Sequence, residues 1–510
     1  MRVEDLLSDS AARAPEHTAI VCPRGRWSYG QIDAASDRFA RILHDAGAEH
    51  GDRVVLCLDN SIDTIVALFG ALKAGCTFVI VNPHARPEHV SGVLADSGAR
   101  VLVARSPQIQ SLERWWPRLL GLQTVIHADG ELRAAIEGGS VRAPRLDEPP
   151  SDTDVAGLVY TSGSTGEPKG VMLTHRNLTA AAEAICIYLG NTADDVILNA
   201  LPLAFTYGLG QITTAFRAGA TVILERSFSY PRAIADTIER EHVTGLPLVP
   251  TMATLLSRHD LSRYDCSTLR YITNAAAALA ATKLRQLRET FPAAAFYSMY
   301  GQTECQRASY LPPEHLEARL DSVGIAIPGT SARVIDERGK PAPAGAVGEL
   351  VVRGPHVMAG YWNRPDATER VLHPSPTAGE MELRTGDLFR TDDDGFLYFV
   401  ERLDDIIKSG GEKVAPRRVE QVIAELPAVA DVSVFGVPDD VLGEIVAAVV
   451  TPADGAALTP EEVQRHCARR LDVHQIPTIV TVRDRLPTTL TGKVSRRALR
   501  QTAIAERWSA

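Results

Sequence analysis

The stretch that most constrains this chain is residues 160–170, which read YTSGSTGEPKG. Its glycines have no Cβ, so the backbone can turn sharply and approach a ligand closely. Hydroxyl side chains and Lys169 add hydrogen-bonding groups and a positive charge, a combination that suits a polyphosphate. Residues 154–160 have the pattern of a buried strand, and residues 173–178 open a helical stretch that Thr174 can cap. The sequence therefore predicts a strand, a glycine loop and a helix in succession.

Two other interpretations of this loop are weaker. Gly/Ser-rich runs are most often flexible linkers, but this run lies between a predicted buried strand and a predicted helix. A Walker phosphate loop requires G-x-x-x-x-G-K-[S/T], and Glu167 stands where that motif needs lysine. The same motif fails at Gly492-Lys493, because Pro487 and Val494 occupy its glycine and Ser/Thr positions. The stretch is a phosphate loop of another kind.

Composition excludes several classes of protein. The chain has 510 residues, 45% hydrophobic and 23% charged, which is ordinary for a globular protein of more than one domain. Its net charge of −10 argues against a nucleic-acid binder that depends on phosphate contacts. The cysteines include no C-x-x-C pair, which argues against structural zinc or disulfides and favours the cytoplasm. No signal-peptide core opens the chain, and the apolar stretch 64–81, interrupted by Lys73 and Gly75, predicts a helix and a strand rather than a membrane span.

Helical and strand patterns alternate at both ends of the chain. Apolar residues at helical spacing follow Trp27, and residues 53–58 and 77–81 are short apolar runs on either side of a predicted helix at 61–74. Such alternation predicts an α/β fold with parallel sheet layers. Roughly the last 100 residues alternate in the same way and predict a small separate α/β unit.

A second motif, Tyr300-Gly-Gln-Thr-Glu304, lies downstream of the loop. An aromatic ring, a glycine turn, a hydroxyl and a carboxylate can stack on a base, bind phosphate and hold a hard cation. Together with YTSGSTGEPKG and its flank GVMLTH, this motif resembles the adenylate-forming superfamily. That superfamily contains acyl- and aryl-CoA synthetases, adenylation domains of nonribosomal peptide synthetases and beetle luciferases. The resemblance runs from about Trp27 to Leu499.

The resemblance implies a two-domain organisation. We expect a large amino-terminal domain at 1–402, built of layered sheets with helices and a β-rich section, that binds ATP and the acid. Residues 348–354 and 358–362 resemble that β-rich section and are assigned a structural role. A hinge at 403–405 centred on Asp404 precedes a mobile carboxy-terminal domain at 406–510. Gly410 and Gly411 match the strand edge beside the pantetheine tunnel.

The same resemblance assigns nucleotide contacts. Lys493 matches the mobile catalytic lysine, Thr303 an α-phosphate contact and Glu304 the carboxylate that holds Mg²⁺. Asp387 matches the acceptor of both ribose hydroxyls, and Arg402 a ribose or phosphate contact. The remaining contacts fall in the phosphate loop and around adenine: Thr161, Ser162, Gly163, Ser164, Thr165, Gly166, Lys169, Asn274, Ala275, Ala276, Tyr300 and Gly301. Relatives usually have glycines in place of the two alanines, and alanine adopts a positive φ only at a cost.

Residues 200–210 resemble the segment that lines the acyl pocket. Thr206 stands where relatives that take amino acids have an aspartate, which pairs with the substrate ammonium. Because a buried ammonium needs a charged partner, a hydroxyl there favours an acid without an α-amino group, unless another carboxylate serves the amine. Arg307 either meets a polar or acidic group of the substrate or is an exposed arginine. The predicted pocket residues are Phe205, Thr206, Tyr207, Gly210, Ile272, Asn274, Met299, Arg307 and Ala308.

These features predict an AMP-forming ligase that uses ATP, Mg²⁺ and CoA. We expect an acyl-CoA synthetase acting on a non-amino carboxylic acid. The nearest alternative is a stand-alone ligase that loads a carrier-protein phosphopantetheine, with an amino acid still open as its substrate. A luciferase-like oxygenase and an inactive acyl-nucleotide binder are more distant alternatives, and intact Lys169, Glu304, Asp387 and Lys493 argue against the inactive one. The sequence determines neither the acid nor the oligomeric state.

Four arginines near the carboxy terminus have several interpretations. They can bind the nucleotide phosphate of CoA, bind an acidic helix of a carrier protein, or simply be solvated. They are Arg417, Arg418, Arg496 and Arg497.

Overall fold

The computed structural model describes residues 1–139, 143–144, 146, 150–162, 168–277, 279, 281–375, 377, 379–410, 412–453, 455–487 and 494–508. Within these ranges the α-helices are α1 (Val3–Arg13), α2 (Tyr29–Asp45), α3 (Ile62–Lys73), α4 (Pro87–Ser97), α5 (Ser106–Leu112), α6 (Glu131–Glu137), α7 (His175–Leu189), α8 (Thr206–Ala218), α9 (Pro231–Arg240), α10 (Pro250–Ser257), α11 (Ala281–Thr290), α12 (Pro365–Glu369), α13 (Pro416–Ile423), α14 (Pro460–Ala468) and α15 (Arg496–Trp508). Short 3₁₀ helices lie at Glu113–Arg118, Pro313–His315, Leu403–Asp405 and Val473–Gln475.

The strands of the described ranges are short and mostly apolar. They are β1 (Thr18–Cys22), β2 (Gly25–Ser28), β3 (Arg53–Cys57), β4 (Thr77–Val81), β5 (Val101–Ala104), β6 (Thr124–His127), β7 (Val155–Ser162), β8 (Pro168–Thr174), β9 (Val196–Asn199), β10 (Thr221–Leu224), β11 (Gly245–Leu248), β12 (Tyr271–Asn274), β13 (Ala295–Tyr300), β14 (Ser309–Tyr310), β15 (Ile325–Ala326), β16 (Ser331–Ile335), β17 (Gly348–Arg353), β18 (Gly360–Tyr361), β19 (Leu372–Pro374), β20 (Met381–Thr391), β21 (Leu397–Arg402), β22 (Ile407–Ser409), β23 (Glu412–Val414), β24 (Val429–Asp439), β25 (Gly443–Pro452) and β26 (Ile479–Val482).

Packing divides the chain into two compact units. The first unit comprises Met1–Arg333 and Val351–Thr385, and the second comprises Val334–Leu350 and Gly386–Ala510. The division falls within β16, β17 and β20. The hinge proposed at 403–405 lies inside the second unit. A hinge is a point about which domains move, and the division by packing does not test such motion. The hinge therefore stays a prediction.

The first unit contains two large mixed sheets. One has the strand order β15-β14-β13-β12-β11-β9-β10-β1-β2, and the other has the order β18-β8-β7-β4-β3-β5-β6. Parallel pairs form the middle of both sheets, and antiparallel pairs lie at both ends of the first sheet and at the β18 end of the second. All five residues of β4 are buried, as expected of a parallel strand covered on both faces. The predicted α/β class is confirmed.

Helices α2 and α3 show how local sequence builds this unit. Ser28 caps α2, since its hydroxyl accepts a hydrogen bond from the Gln31 N–H while the Gln31 side chain accepts from the Ser28 N–H. Ile32 and Phe39, two turns apart on the same helical face, are fully buried. A Cβ on Gly70 of α3 would lie 2.7 Å from Cδ1 of Phe39, so this glycine allows the two helices to pack closely.

The phosphate loop has a different setting from the one predicted. Strand β8, not a helix, follows residues 163–167, and it pairs antiparallel with β7 so that Thr161 faces Lys169. The predicted strand before the loop and the predicted helix after it are confirmed as β7 and α7, but β8 between them was not predicted, because the apolar run 171–173 is too short for periodicity to distinguish strand from helix. Helix α7 begins only at His175. The predicted Thr174 cap is confirmed, because its hydroxyl accepts a hydrogen bond from the Asn177 N–H.

One sheet of the second unit has apolar clusters on both faces. Its strand order is β23-β22-β25-β24, and β26 pairs parallel with β25. Side chains of β24 alternate between the faces. Val434 packs with residues of α13 and α14, and Phe435 packs with Leu499 of α15. The α/β alternation predicted for the last hundred or so residues is confirmed.

In the part of the chain that the structure describes, no helix has the length and apolar character needed to cross a membrane.

Candidate active site

The strand pair β8–β18 lies at one end of the seven-stranded sheet of the first unit. Tyr361 of β18 is the partner of Val171 of β8, and the Trp362 N–H donates to the Gly170 carbonyl at 2.8 Å. Lys169, also on β8, faces Thr161 of β7. The strands that flank the phosphate loop are thus joined to a segment almost 200 residues further along the chain.

Tyr361 connects the two predicted nucleotide motifs. Its hydroxyl donates to Oε1 of Glu304 at 2.7 Å, and Nζ of Lys169 lies 5.3 Å from the centroid of its ring. The Met358 N–H donates to the backbone carbonyl of Glu304 at 2.8 Å, which ties the same segment to the second motif. Sequence reasoning missed Tyr361 and gave its segment a structural role. A tyrosine in a short strand has no local signal that separates a core residue from a site residue.

The loop after β13 carries the second motif and folds back on itself. A Cβ on Gly301 would lie 2.3 Å from the carbonyl oxygen of Gln306 and 2.9 Å from Cα of Arg307, so only glycine permits this approach. Gln306 has φ 53°, and the Arg307 N–H donates to the Cys305 carbonyl at 2.5 Å, which closes a three-residue turn. Thr303 is half-buried in this loop.

Strands β12 and β13 end side by side at the predicted adenine contacts. They are parallel, with Asn274 opposite Ser298, so residues after both strands emerge at one sheet edge. Open parallel sheets bind ligands at such carboxyl ends. Ala275 is buried, and Ala276 is exposed with φ 74°. Ala276 therefore adopts a left-handed conformation that glycine would adopt freely and that costs an alanine roughly 1–2 kcal/mol.

A small cavity lies beside this edge, and we call it the acyl cavity. Its lining is Ala181, Ala182, Ile185, Tyr188, Leu189, Thr206, Gly210, Gln211, Thr213, Thr273, Met299, Gln306 and Arg307. Four of these were predicted pocket residues: Thr206, Gly210, Met299 and Arg307. The contributions of α7 were missed, because its inward face has the ordinary apolar pattern of a packed helix.

The other predicted pocket residues lie around the acyl cavity without being part of its lining. Ile272, Asn274 and Ala308 are buried, and Phe205 is the residue that precedes the first turn of α8. Tyr207 lies behind the lining, and its hydroxyl lies 2.8 Å from Oγ1 of Thr273. Burial raises the pKa of Tyr207 to about 12, so this phenol is neutral at physiological pH.

Arg307 is buried, with 5% of its surface exposed. The alternative of an exposed arginine was wrong. Its guanidinium carbon lies 4.9 Å from the centroid of the Tyr207 ring. The chain places a cation inside the acyl cavity.

In the second unit, Asp387 and Arg402 are partners across β20 and β21. Nε of Arg402 lies 3.3 Å from Oδ1 of Asp387, whose side chain is almost fully buried. Asp404 is exposed on a 3₁₀ helix, and Gly410 has φ 60° with its N–H donating to the Leu442 carbonyl. The two ribose-contact candidates therefore lie together.

Several predicted site residues lie outside the described residues. They are Gly163, Ser164, Thr165, Gly166, Gly411 and Lys493. Ser162 ends β7, and its side chain is not described.

Arg496 belongs to a cluster of charges within the second unit. Its guanidinium lies 3.1 Å from Glu401, 2.8 Å from Asp405 and 2.9 Å from Glu420. Of the alternatives for this arginine, the solvated one was wrong. The cluster also gives the carboxylate of Glu401 its partners: it is 1% exposed and also accepts a hydrogen bond from the Arg417 N–H.

Comparison with known proteins identifies the family of this chain. The AMP-binding enzyme family model matches residues 7–362, and the AMP-binding enzyme C-terminal domain model matches residues 418–493. Feruloyl-CoA synthase from Amycolatopsis sp is 35% identical over 499 residues, covering 96% of this chain and 97% of the relative.

Solved structures share the fold over nearly the whole chain. ATP-bound MatB from Rhodopseudomonas palustris has a TM-score of 0.89 at 28% identity, covering 99% of both chains. The o-succinylbenzoate CoA synthetase from Bacillus subtilis, in complex with the acyl-adenylate intermediate OSB-AMP, has a TM-score of 0.85 at 29% identity, covering 97% of both chains. The predicted resemblance is confirmed. The chain belongs to the family of AMP-binding enzymes and is an ATP-dependent, AMP-forming acid–thiol ligase of the acyl-CoA synthetase class.

Proposed function

We propose that this enzyme converts a carboxylic acid without an α-amino group into its CoA thioester through an acyl-adenylate. The observation that carries the proposal is the convergence of Lys169, Tyr361 and Glu304 at the phosphate-loop strands. A cation and a carboxylate held by one tyrosine suit a nucleotide phosphate chain, and the acyl cavity lies in the same unit.

In the first half-reaction, a carboxylate oxygen of the acid bonds to the α-phosphorus of ATP. The bond from that phosphorus to the α–β bridging oxygen breaks, and pyrophosphate leaves with both electrons. Negative charge builds on the phosphoryl oxygens, so the protein contributes mainly positioning and electrostatic stabilisation. Lys169 and the loop hydroxyls would hold the outer phosphates, and Thr303 and Lys493 would hold the reacting oxygens.

Glu304 is the residue that would hold Mg²⁺. In the described part of the chain no three His, Cys, Asp or Glu side chains form a group that could hold a metal ion by themselves. This fits Mg²⁺, which is commonly bound through one or two carboxylates plus substrate phosphates. The bound ion would neutralise charge on the phosphates, while the Tyr361 hydroxyl orients the carboxylate.

In the second half-reaction, the CoA sulfur bonds to the acyl carbon, the acyl–oxygen bond to AMP breaks, and the thiol proton is released. Lys493 must leave the reacting phosphate for the thiol to enter. We propose that the carboxy-terminal domain turns about Asp404 between the two steps. The exposure of Asp404 and the positive φ of Gly410 are compatible with a segment that changes direction.

The acyl cavity supports a substrate without an amino group. Thr206, at the start of α8, lines it where an amino-acid enzyme has an aspartate, and its lining contains no Asp or Glu among the described residues. A substrate ammonium would therefore be buried without a counterion, which is costly.

The identity of the nucleotide product tests the reaction. Purified enzyme with Mg²⁺, ATP and a panel of acids should release AMP and pyrophosphate, and hydroxylamine should trap the acyl-adenylate as a hydroxamate. Formation of ADP instead of AMP would contradict the proposal at its root. Thioester formation compared between CoA and a holo-carrier protein decides the acceptor.

The role of Lys493 is tested by separating the half-reactions. Lys493→Ala should abolish pyrophosphate release but retain thioester formation from pre-made acyl-adenylate. Asp404→Pro should show the reverse. Equal loss in both half-reactions for Lys493→Ala would refute its assignment.

A further inference from the structure

The acyl cavity holds a positive charge that no described Asp or Glu neutralises. Only 5% of the surface of Arg307 is exposed to solvent. In the described ranges it forms no ion pair with an Asp or Glu, and its buried Nε has no hydrogen-bond acceptor. The described residues of the cavity lining are neutral apart from Arg307 itself.

Neighbouring groups compensate this charge only in part. The Tyr207 ring, 4.9 Å away, offers its π face, and the Tyr188 hydroxyl is a hydrogen-bond partner of the guanidinium; both are neutral and weaker partners than a carboxylate. The amide of Gln306 donates to the Asn177 carbonyl, and the amide of Gln211 donates to the Tyr207 carbonyl. A buried guanidinium without an anion is costly because its hydration is lost and nothing replaces it.

The backbone holds Arg307 in this position. The positive φ of Gln306 and the turn closed by the Arg307 N–H are sparsely populated conformations for a residue with a side chain. The contact between Gly301 and this turn leaves the loop little room to relax. Strain that keeps an unpaired cation beside a cavity indicates a ligand group that pairs with it.

We infer that the acid carries a second carboxylate, which Arg307 binds while the first is adenylated. A guanidinium presents paired N–H donors that match the two oxygens of a carboxylate. The substrate is then a dicarboxylic acid. This inference rests on the proposed function of the cavity as the acyl site.

The test compares diacids with matched monoacids that lack the second charge. Probes are straight-chain dicarboxylic acids from succinic to suberic acid and the benzene dicarboxylic acids, each beside its mono-amide. Acid-dependent pyrophosphate release should give a kcat/KM for the best diacid about 10- to 150-fold above that of its mono-amide. Arg307→Met should remove that ratio by lowering kcat/KM for the diacid towards that of its mono-amide, and Arg307→Lys should restore part of it.

Arg263→Met is the matched control. Arg263 also lies over a tyrosine ring, 4.8 Å from the centroid of Tyr264, but it is exposed and outside the cavity lining. It should leave the diacid preference unchanged. Thermal melting of the wild-type enzyme with each free acid gives a second readout that needs no variant, and a diacid should raise the melting temperature more than its mono-amide at the same concentration.

Three outcomes overturn the inference. The first is an equal kcat/KM of the wild-type enzyme for a diacid and its mono-amide. The second is a higher kcat/KM for monoacids without a second charge, and the third is a diacid preference that survives Arg307→Met. If Arg307→Met fails to fold, the wild-type comparison and the melting shifts still decide. If the enzyme forms ADP or no acyl-adenylate with any acid, the proposed function itself fails and the substrate inference falls with it.

Discussion

Replacing Tyr361 with phenylalanine removes one oxygen atom from the candidate active site and keeps the ring. The ring would still lie under Lys169, whose Nζ is 5.3 Å from its centroid, while Glu304 would lose the hydroxyl that donates to Oε1 at 2.7 Å. Because Tyr361 is only 8% exposed, water has little access to replace that donor. The variant therefore isolates one charge-assisted hydrogen bond.

The expected magnitude follows from that bond. A hydrogen bond to a charged group contributes about 1.5–3 kcal/mol, and each 1.36 kcal/mol is about tenfold in rate. If Glu304 acts in the transition state of adenylation, Tyr361→Phe should lower kcat/KM for pyrophosphate release about 10- to 150-fold. The Mg²⁺ concentration needed for half-maximal rate should rise as well, because the carboxylate is no longer oriented. Thioester formation from pre-made acyl-adenylate should change much less.

Tyr398→Phe is the matched control. Tyr398 also donates its hydroxyl to a carboxylate, Oδ2 of Asp392 at 2.9 Å, and also lies under a cation, with the Arg390 guanidinium carbon 4.2 Å from its ring centroid. It should leave adenylation within about twofold of wild type. A Tyr361→Phe enzyme with unchanged pyrophosphate release, or an equal loss in Tyr398→Phe, would refute the reasoning.

Three further predictions concern stability. Burial raises the pKa of Glu4 from 4.5 to about 7. The protonated carboxyl therefore contributes to the free energy of unfolding below pH 4.5, and this contribution is lost as the pH rises through 7. The stability of wild type relative to Glu4→Gln, followed by melting temperature, should therefore fall by about 3 kcal/mol between pH 5 and 8. Melting temperatures of the two proteins that change in parallel with pH would contradict this. Ala276→Gly should raise the melting temperature by an amount worth roughly 0.5–1 kcal/mol, since it relieves a positive φ of 74° but loosens the unfolded chain; a lower melting temperature would show that the strain is absent. Gly301→Ala places a Cβ 2.3 Å from the Gln306 carbonyl oxygen and should cost about 1–3 kcal/mol or more and impair adenylation, whereas Gly92→Ala, with no atom within 4 Å of the added Cβ, should be tolerated; equal melting temperatures for the two variants would be the contrary result.

Local sequence patterns determined much of the fold. The helical spacing after Trp27, the apolar runs that became β3 and β4, and the alternation near the carboxy terminus all correspond to elements of the structure. Helix caps such as Thr174 were also predictable. These features depend on residues within a few positions of one another, so a single sequence carries them.

The order and spacing of motifs determined the enzyme class. The phosphate loop followed by Tyr300-Gly-Gln-Thr-Glu304 is a long and specific pattern, and the family comparison confirmed it. The same information placed Thr206, Met299 and Arg307 at the acyl cavity.

Only the tertiary structure decided which side chains meet. It added β8 between the phosphate loop and the expected helix, and it brought Tyr361 from β18 to Glu304. It also buried Arg307, which pairs with no Asp or Glu among the described residues. It also drew Arg496 into contact with three carboxylates. These contacts depend on the order of the strands and on the close approach of loops, and both arise from packing between segments far apart in the chain. Because burial and electrostatic partnership are properties of that packing, residue type and local spacing cannot specify them.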